Sequence, residues 1–139
     1  MKPPVFFLMH PVGVGATRAM NVLSAKLWIR ALVDVLPDIS ISAPWLPYAE
    51  VMIDRERGLR DAMAAAETSN GGVATGGEFS IGMSDEWEMF KRLKRPRIDL
   101  TRAPMPAILT YETFGETRTP AFRQTVTDAF STVLVRAAA

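Results

Sequence analysis

The sequence predicts an α/β fold in which a parallel sheet of four or five strands is covered by helices on both faces. Three observations carry that prediction. Short apolar runs alternate with longer segments of helical periodicity along most of the chain. The first run, Val5–Met9, is apolar throughout and holds one β-branched and two aromatic residues, as a strand buried on both faces does. Glycine turns follow the first and third predicted strands, at 11–15 and 76–82, and such turns mark the carboxyl edge where parallel sheets bind ligands.

The elements follow in order. The first strand ends at Pro11, and a helix is expected over 17–36, where Met20, Leu23, Leu27, Ala31 and Val35 recur at helical spacing before Pro37. Ile39–Ala43 alternates and reads as a second strand, which Pro44 and Pro47 close into a loop carrying Trp45 and Tyr48. Residues 54–68 have an acidic start and an alanine-rich body, so a second long helix is expected there, stopped by Ser69-Asn70-Gly71-Gly72. Val73–Thr75 reads as a third strand, 83–93 as a helix, Arg97–Leu100 as a fourth strand and Ala107–Tyr111 as a fifth. Thr119 is a good N-cap and Pro120 a good first helical residue. The final helix then places Phe122, Val126, Phe130, Val133 and Leu134 on one face and runs to Arg136. There is no internal repeat and no linker, so residues 1–139 are expected to form one domain, with 101–139 supplying a last strand and helix. The pattern fits a flavodoxin-like three-layer arrangement.

Composition removes several classes of function. With 16 basic and 15 acidic residues the formal charge is +1, which gives no electrostatic footprint for a nucleic-acid polymer or an anionic membrane. Cysteine is absent and His10 is the single histidine, which excludes thiol catalysis, disulfides and two-histidine metal sites. No metal and no cofactor is expected. The apolar run at 5–9 is too short for a signal peptide, and no stretch approaches a membrane span, so a cytoplasmic protein is expected.

The stretch with chemical content is Gly76-Gly77-Glu78-Phe79-Ser80-Ile81-Gly82-Met83-Ser84-Asp85-Glu86. Glycines permit close backbone approach to a ligand, and the helix that follows offers unpaired N–H groups to an anion. Glu86 is expected in the first helical turn, where the dipole would keep its carboxylate charged and able to attack an anomeric carbon. The plainer reading is that glycine turns simply turn and first-turn acids simply stabilise helices. Spacing alone leaves both open. His10 has a structural reading beside a ligand-contacting one. Trp45 and Tyr48 cap the core or stack on a base. Lys91–Arg97 reads as a solvated, basic helix end, and Asp85 and Glu88 are expected to face solvent.

Taken together, Asp54-Arg55-Glu56-Arg57-Gly58-Leu59-Arg60-Asp61, Gly76-Gly77 and Ser80-Ile81-Gly82-Met83-Ser84-Asp85-Glu86 resemble the nucleoside 2-deoxyribosyltransferase-like superfamily. That superfamily includes 2'-deoxynucleoside 5'-phosphate N-hydrolases, cytidine monophosphate hydrolases and many small bacterial and phage proteins. The likeness runs from about Val5 to Leu100. It implies cleavage of the N-glycosidic bond of a (deoxy)nucleoside 5'-monophosphate, by hydrolysis or base exchange. Glu86 matches the nucleophile, and Asp61 matches the aspartate that protonates the leaving base or positions the sugar. Ser80 matches a position that is serine in the monophosphate hydrolases and aspartate in the transferases, a difference a 5'-phosphate would feel as like-charge repulsion. Pro11-Val12-Gly13 matches the first ligand loop. Gly82, His10 and Phe7 complete the expected substrate-binding set. The chain departs from the pattern at Phe6 and Phe7, where relatives often carry tyrosine, at His10, where glycine is common, and at Thr68-Ser69-Asn70, where an aspartate is usual. Its nearest basic residue after the first loop is Arg18. The expected partner is a small nucleotide or nucleoside, and the expected state a homodimer or higher homo-oligomer. Two other readings remain open: a nucleotide or nucleotide-sugar sensor without turnover, and a structural subunit assembling through the last helix.

Overall fold

Four parallel strands form the sheet: β1 (Val5–Met9), β2 (Ser40–Ser42), β3 (Gly71–Ala74) and β4 (Arg97–Asp99), in the spatial order β2-β1-β3-β4. The computed structural model describes residues 2–51, 54–102 and 106–138, with side chains through Val133. Val5 pairs with Ser40, Phe6 with Gly71 and Val73 with Ile98. The helices are α1 (Gly15–Val35), the short α2 (Leu46–Glu50), α3 (Arg55–Glu67), α4 (Ile81–Arg92) and α5 (Pro120–Ala138). Helices α1 and α5 pack together over one face of the sheet, and α3 and α4 pack together over the other. The architecture is the flavodoxin-like three-layer α/β fold, with four strands.

Alternation along β1 explains why it sits in the middle. Phe6 points to the α5 side, its ring edge-on to Phe130 at 5.2 Å between centroids. Phe7 points the opposite way and lies 6.4 Å from Phe90 of α4. Phe6, Phe7, Leu8 and Met9 are all fully buried, so a strand without polar alternation is what both covered faces require. The strand β3 begins earlier than expected, because Gly71 and Gly72 belong to it and do not form a turn. A Cβ on Gly72 would lie 2.6 Å from both Met9 Cε and Phe90 Cε2, so the glycine is there for close approach between layers.

Capping works as the side chains suggest. Asp54 accepts from the Glu56 amide at the start of α3, and Thr119 Oγ1 accepts from Phe122 N at the start of α5. Phe122, Val126 and Phe130 are buried along the inner face of α5; Leu134, expected on the same face, lies outside the described side chains.

The expected fifth strand does not form. Residues 107–111 run as irregular chain and turn into a 3₁₀ turn at Phe114–Arg118. The apolar signal was real, since Leu109 is fully buried, but the backbone groups go to α1 instead of a ladder. Leu109 N donates to Ser24 Oγ at 2.9 Å, and Ala107 O accepts from Trp28 Nε1 at 3.0 Å. Among the described residues no helix is long and apolar enough to cross a membrane.

Candidate functional site

Strand order reverses between β1 and β3, which opens a crevice beyond their carboxyl ends. Thr75 clamps the two ends together, its amide and its hydroxyl both donating to Met9 O at 2.9 Å. Both glycine turns meet there, as the sequence predicts: Gly13 and Gly82 line a single pocket.

The loop after β1 is held by side chains at three successive carbonyls. His10 Nδ1 donates to Pro11 O at 2.8 Å, Asn21 Nδ2 to Val12 O at 3.1 Å, and Arg18 Nε to Gly13 O at 3.4 Å. His10 Nε2 meets Ser24 Oγ at 2.9 Å, so both ring nitrogens are engaged. With Nδ1 as donor, Nε2 accepts from the serine hydroxyl, which itself accepts from Leu109 N. Burial pushes the imidazole pKa down to about 4, against the weaker raising effect of the Pro11 carbonyl. His10 borders the pocket as a neutral ring that shapes the loop. A Cβ on Gly76, whose φ is +94°, would meet Pro11 Cδ at 2.5 Å and His10 Nε2 at 3.1 Å. Only glycine lets the second turn settle against the first.

The opposite wall comes from α4. Ser80 is its N-cap, with Oγ accepting from Met83 N at 3.2 Å. The hydroxyl proton remains able to donate to a ligand. The helix therefore begins at Ile81, two residues before the expected start, and Glu86 stands in its second turn. This overturns the expectation that the dipole keeps Glu86 charged, because the dipole's effect fades beyond the first turn. Glu86 lines the pocket, and burial pushes its carboxyl up to about 8, with the neighbouring Asp85 charge adding to the shift. Among the described residues it makes no ion pair, although Arg18 and Arg55 line the same pocket.

The third wall is α2 with the start of α3. Trp45 is buried and donates Nε1 to Leu8 O at 2.8 Å, which anchors it to the sheet while it borders the pocket. It caps the core and faces the ligand space at once. Tyr48 lies against Gly58, where a Cβ would stand 3.5 Å from Tyr48 Cβ, and its hydroxyl donates to Asp61 Oδ2 at 2.9 Å. That bond, then the charges of Arg60 and Arg57, lowers the Asp61 pKa, and the same carboxylate raises the Tyr48 phenol.

No family model, curated protein or solved structure matches the chain. The pocket itself is what the functional reading stands on. It gathers Glu86, Ser80, Gly82, Gly13 and His10 from the expected set. It does not gather the others. Asp61 sits one residue behind the wall and reaches it through Tyr48. Phe7 is core, packed on Phe90, and Pro11 is buried with its carbonyl tied to His10. Arg55 was missed; the one local sign is that a cation at the first position of a helix runs against the dipole.

Proposed function

We propose that the protein cleaves the N-glycosidic bond of a (deoxy)nucleoside 5'-monophosphate, with Glu86 as nucleophile and water or a second base as acceptor. The observation that carries this reading is the grouping of a carboxyl that has no ion pair among the described residues, two guanidinium groups and a helix-capping hydroxyl in one pocket at the sheet's reversal point. Arg18, Arg55 and Ser80 suit a phosphate by charge and donor geometry. Trp45 supplies a flat apolar surface for a base. Glu86 first gives its proton to solvent; the carboxylate then attacks C1' as the C1'–N bond breaks, and the departing base takes one proton from water. Water then cleaves the glycosyl ester and releases the sugar phosphate, or a second base takes its place.

The resting protonation of Glu86 favours one rival, a nucleotide or nucleotide-sugar sensor, because a neutral carboxyl is a poor nucleophile. Incubation with a panel of nucleoside 5'-monophosphates and nucleosides, scored for free base by chromatography, separates them. Base release from a monophosphate is the expected result. Binding without release assigns the sensor, and neither binding nor release overturns both readings.

A further inference from the structure

Tyr48 is the one pocket-lining side chain whose hydroxyl proton is already committed, and Asp61 is what commits it. The bond to Asp61 Oδ2 is 2.9 Å long, and Asp61 is in turn flanked by Arg60 Nε at 3.4 Å and Arg57 Nε at 3.7 Å. The carboxylate is thus held charged, as an acceptor only, and cannot give a proton back. The phenol oxygen keeps its lone pairs and nothing else to offer. Position is equally constrained. Trp45, three residues earlier, is pinned to Leu8 O, and the Tyr48 side chain lies against α3 at Gly58 with its hydroxyl on Asp61.

Elsewhere the polar lining is rich in donors: Arg18, Arg55 and the Ser80 hydroxyl donate, and Glu86 at rest carries a proton. A ligand bound by those groups still has donors of its own, and the sugar hydroxyls of a nucleotide are the principal ones. We infer that Tyr48 determines specificity by accepting a hydrogen bond from a sugar hydroxyl of the ligand, with Asp61 as the positioning residue that turns the phenol proton away from the pocket. The inference rests on the nucleotide reading of the same pocket. It goes beyond that reading by assigning the selectivity for a hydroxylated sugar to a residue pair on α2 and α3.

The test measures affinity for a ribonucleoside 5'-monophosphate and for its 2'-deoxy, 3'-deoxy and 2',3'-dideoxy analogues, using quenching of tryptophan fluorescence. Samples are checked by chromatography for intact ligand. Wild-type protein is expected to bind one hydroxylated form about tenfold more tightly than the analogue lacking that hydroxyl, the size of one net hydrogen bond. Tyr48→Phe should remove that ratio while leaving the dideoxy ligand's affinity unchanged. Asp61→Asn should reduce the ratio, because its amide group can donate to the phenol oxygen and occupy the acceptor. A merely structural role would weaken all four ligands alike and leave the ratio standing. Inosine against adenosine monophosphate provides a further arm. If Tyr48→Phe changes that pair and not the sugar series, the acceptor serves the base and the inference is overturned. A sugar ratio that survives in Tyr48→Phe overturns it as well, while the nucleotide reading stands. If wild-type protein binds none of the nucleotides, the nucleotide reading fails and takes this inference with it.

Discussion

The α4 side of the pocket carries a carboxyl group in its lining and the α2–α3 side one behind its wall, and their surroundings drive the two apart. Glu86 enters a walled pocket with no ion pair among the described residues, next to the charge of Asp85, and burial holds its proton to about pH 8. Asp61 is half-buried beside a phenol and two guanidinium groups, and the Tyr48 hydrogen bond, then the arginines, lower its pKa from the ordinary value. One acid can reach the ligand but rests neutral. The other is charged but reaches the ligand only through Tyr48. Environment, and not residue type, sets which carboxyl holds a proton at neutral pH.

The largest expected effect comes from removing the neutral member. Glu86→Gln should lower base release by roughly 10³-fold or more while nucleotide binding persists, since the amide keeps the shape and loses the nucleophile. A variant that still releases base at near the wild-type rate would overturn the assignment. The pH dependence sharpens the same point. Attack needs the ionised form, so kcat/KM should climb about tenfold per pH unit up to about 8 and level off above it. A rate already flat from pH 5 upward would show that Glu86 is charged in the free protein.

The same proton couples to folding. Glu86 has a native pKa of about 8 against an ordinary 4.5, so from pH 4.5 upward the unfolded chain is ionised while the folded one still holds the proton. Stability should therefore fall as pH rises from 4.5 and level off above about 8. Glu86→Gln removes this loss and should stabilise the protein at pH 8 by roughly 1–3 kcal/mol, read as a raised Tm. His10 works from the other side: with a native pKa of about 4 against 6.5, its contribution is lost as pH falls from 6.5 toward 4. That acid limb should remain in Glu86→Gln. If the variant shows the wild-type alkaline limb unchanged, the titrating group lies elsewhere.

Ser80→Asp tests the charge balance of the α4 wall. Aspartate is as good an N-cap as serine, so the helix survives and any binding loss is electrostatic. Monophosphate affinity should drop about tenfold or more through like-charge repulsion in a partly desolvated turn, with nucleosides little affected. Equal losses for both ligand classes would remove the phosphate from Ser80. The smallest effect belongs to Glu88→Gln, an exposed side chain two positions on and off the pocket face, which should leave rate and Tm within error.

Much of this architecture was legible in the chain. The unbroken apolar character of Val5–Met9 required two covered faces, and the threonine and proline before Phe122 marked the start of α5, because both are local signals that tertiary context had no reason to override. The glycine turns after the first and third strands likewise pointed to one edge. Gly71 and Gly72 misled, since close approach of Phe6 and the Pro96 carbonyl to the first, and of Met9 and Phe90 to the second, decides their role, and those contacts are invisible along the chain. Ala107–Tyr111 misled for a related reason: Ser24 and Trp28, some eighty positions away, capture its backbone groups. For the site, residue types and spacing placed Ser80, Gly82 and Glu86 together, because they share one turn and one helix. The protonation of Glu86, the neutrality of His10 and the bond between Tyr48 and Asp61 depend on which groups face one another across the pocket and how much water lies between them. Local sequence carries the order of the elements and the turns between them; desolvation and the pairing of distant side chains are set only when the chain folds.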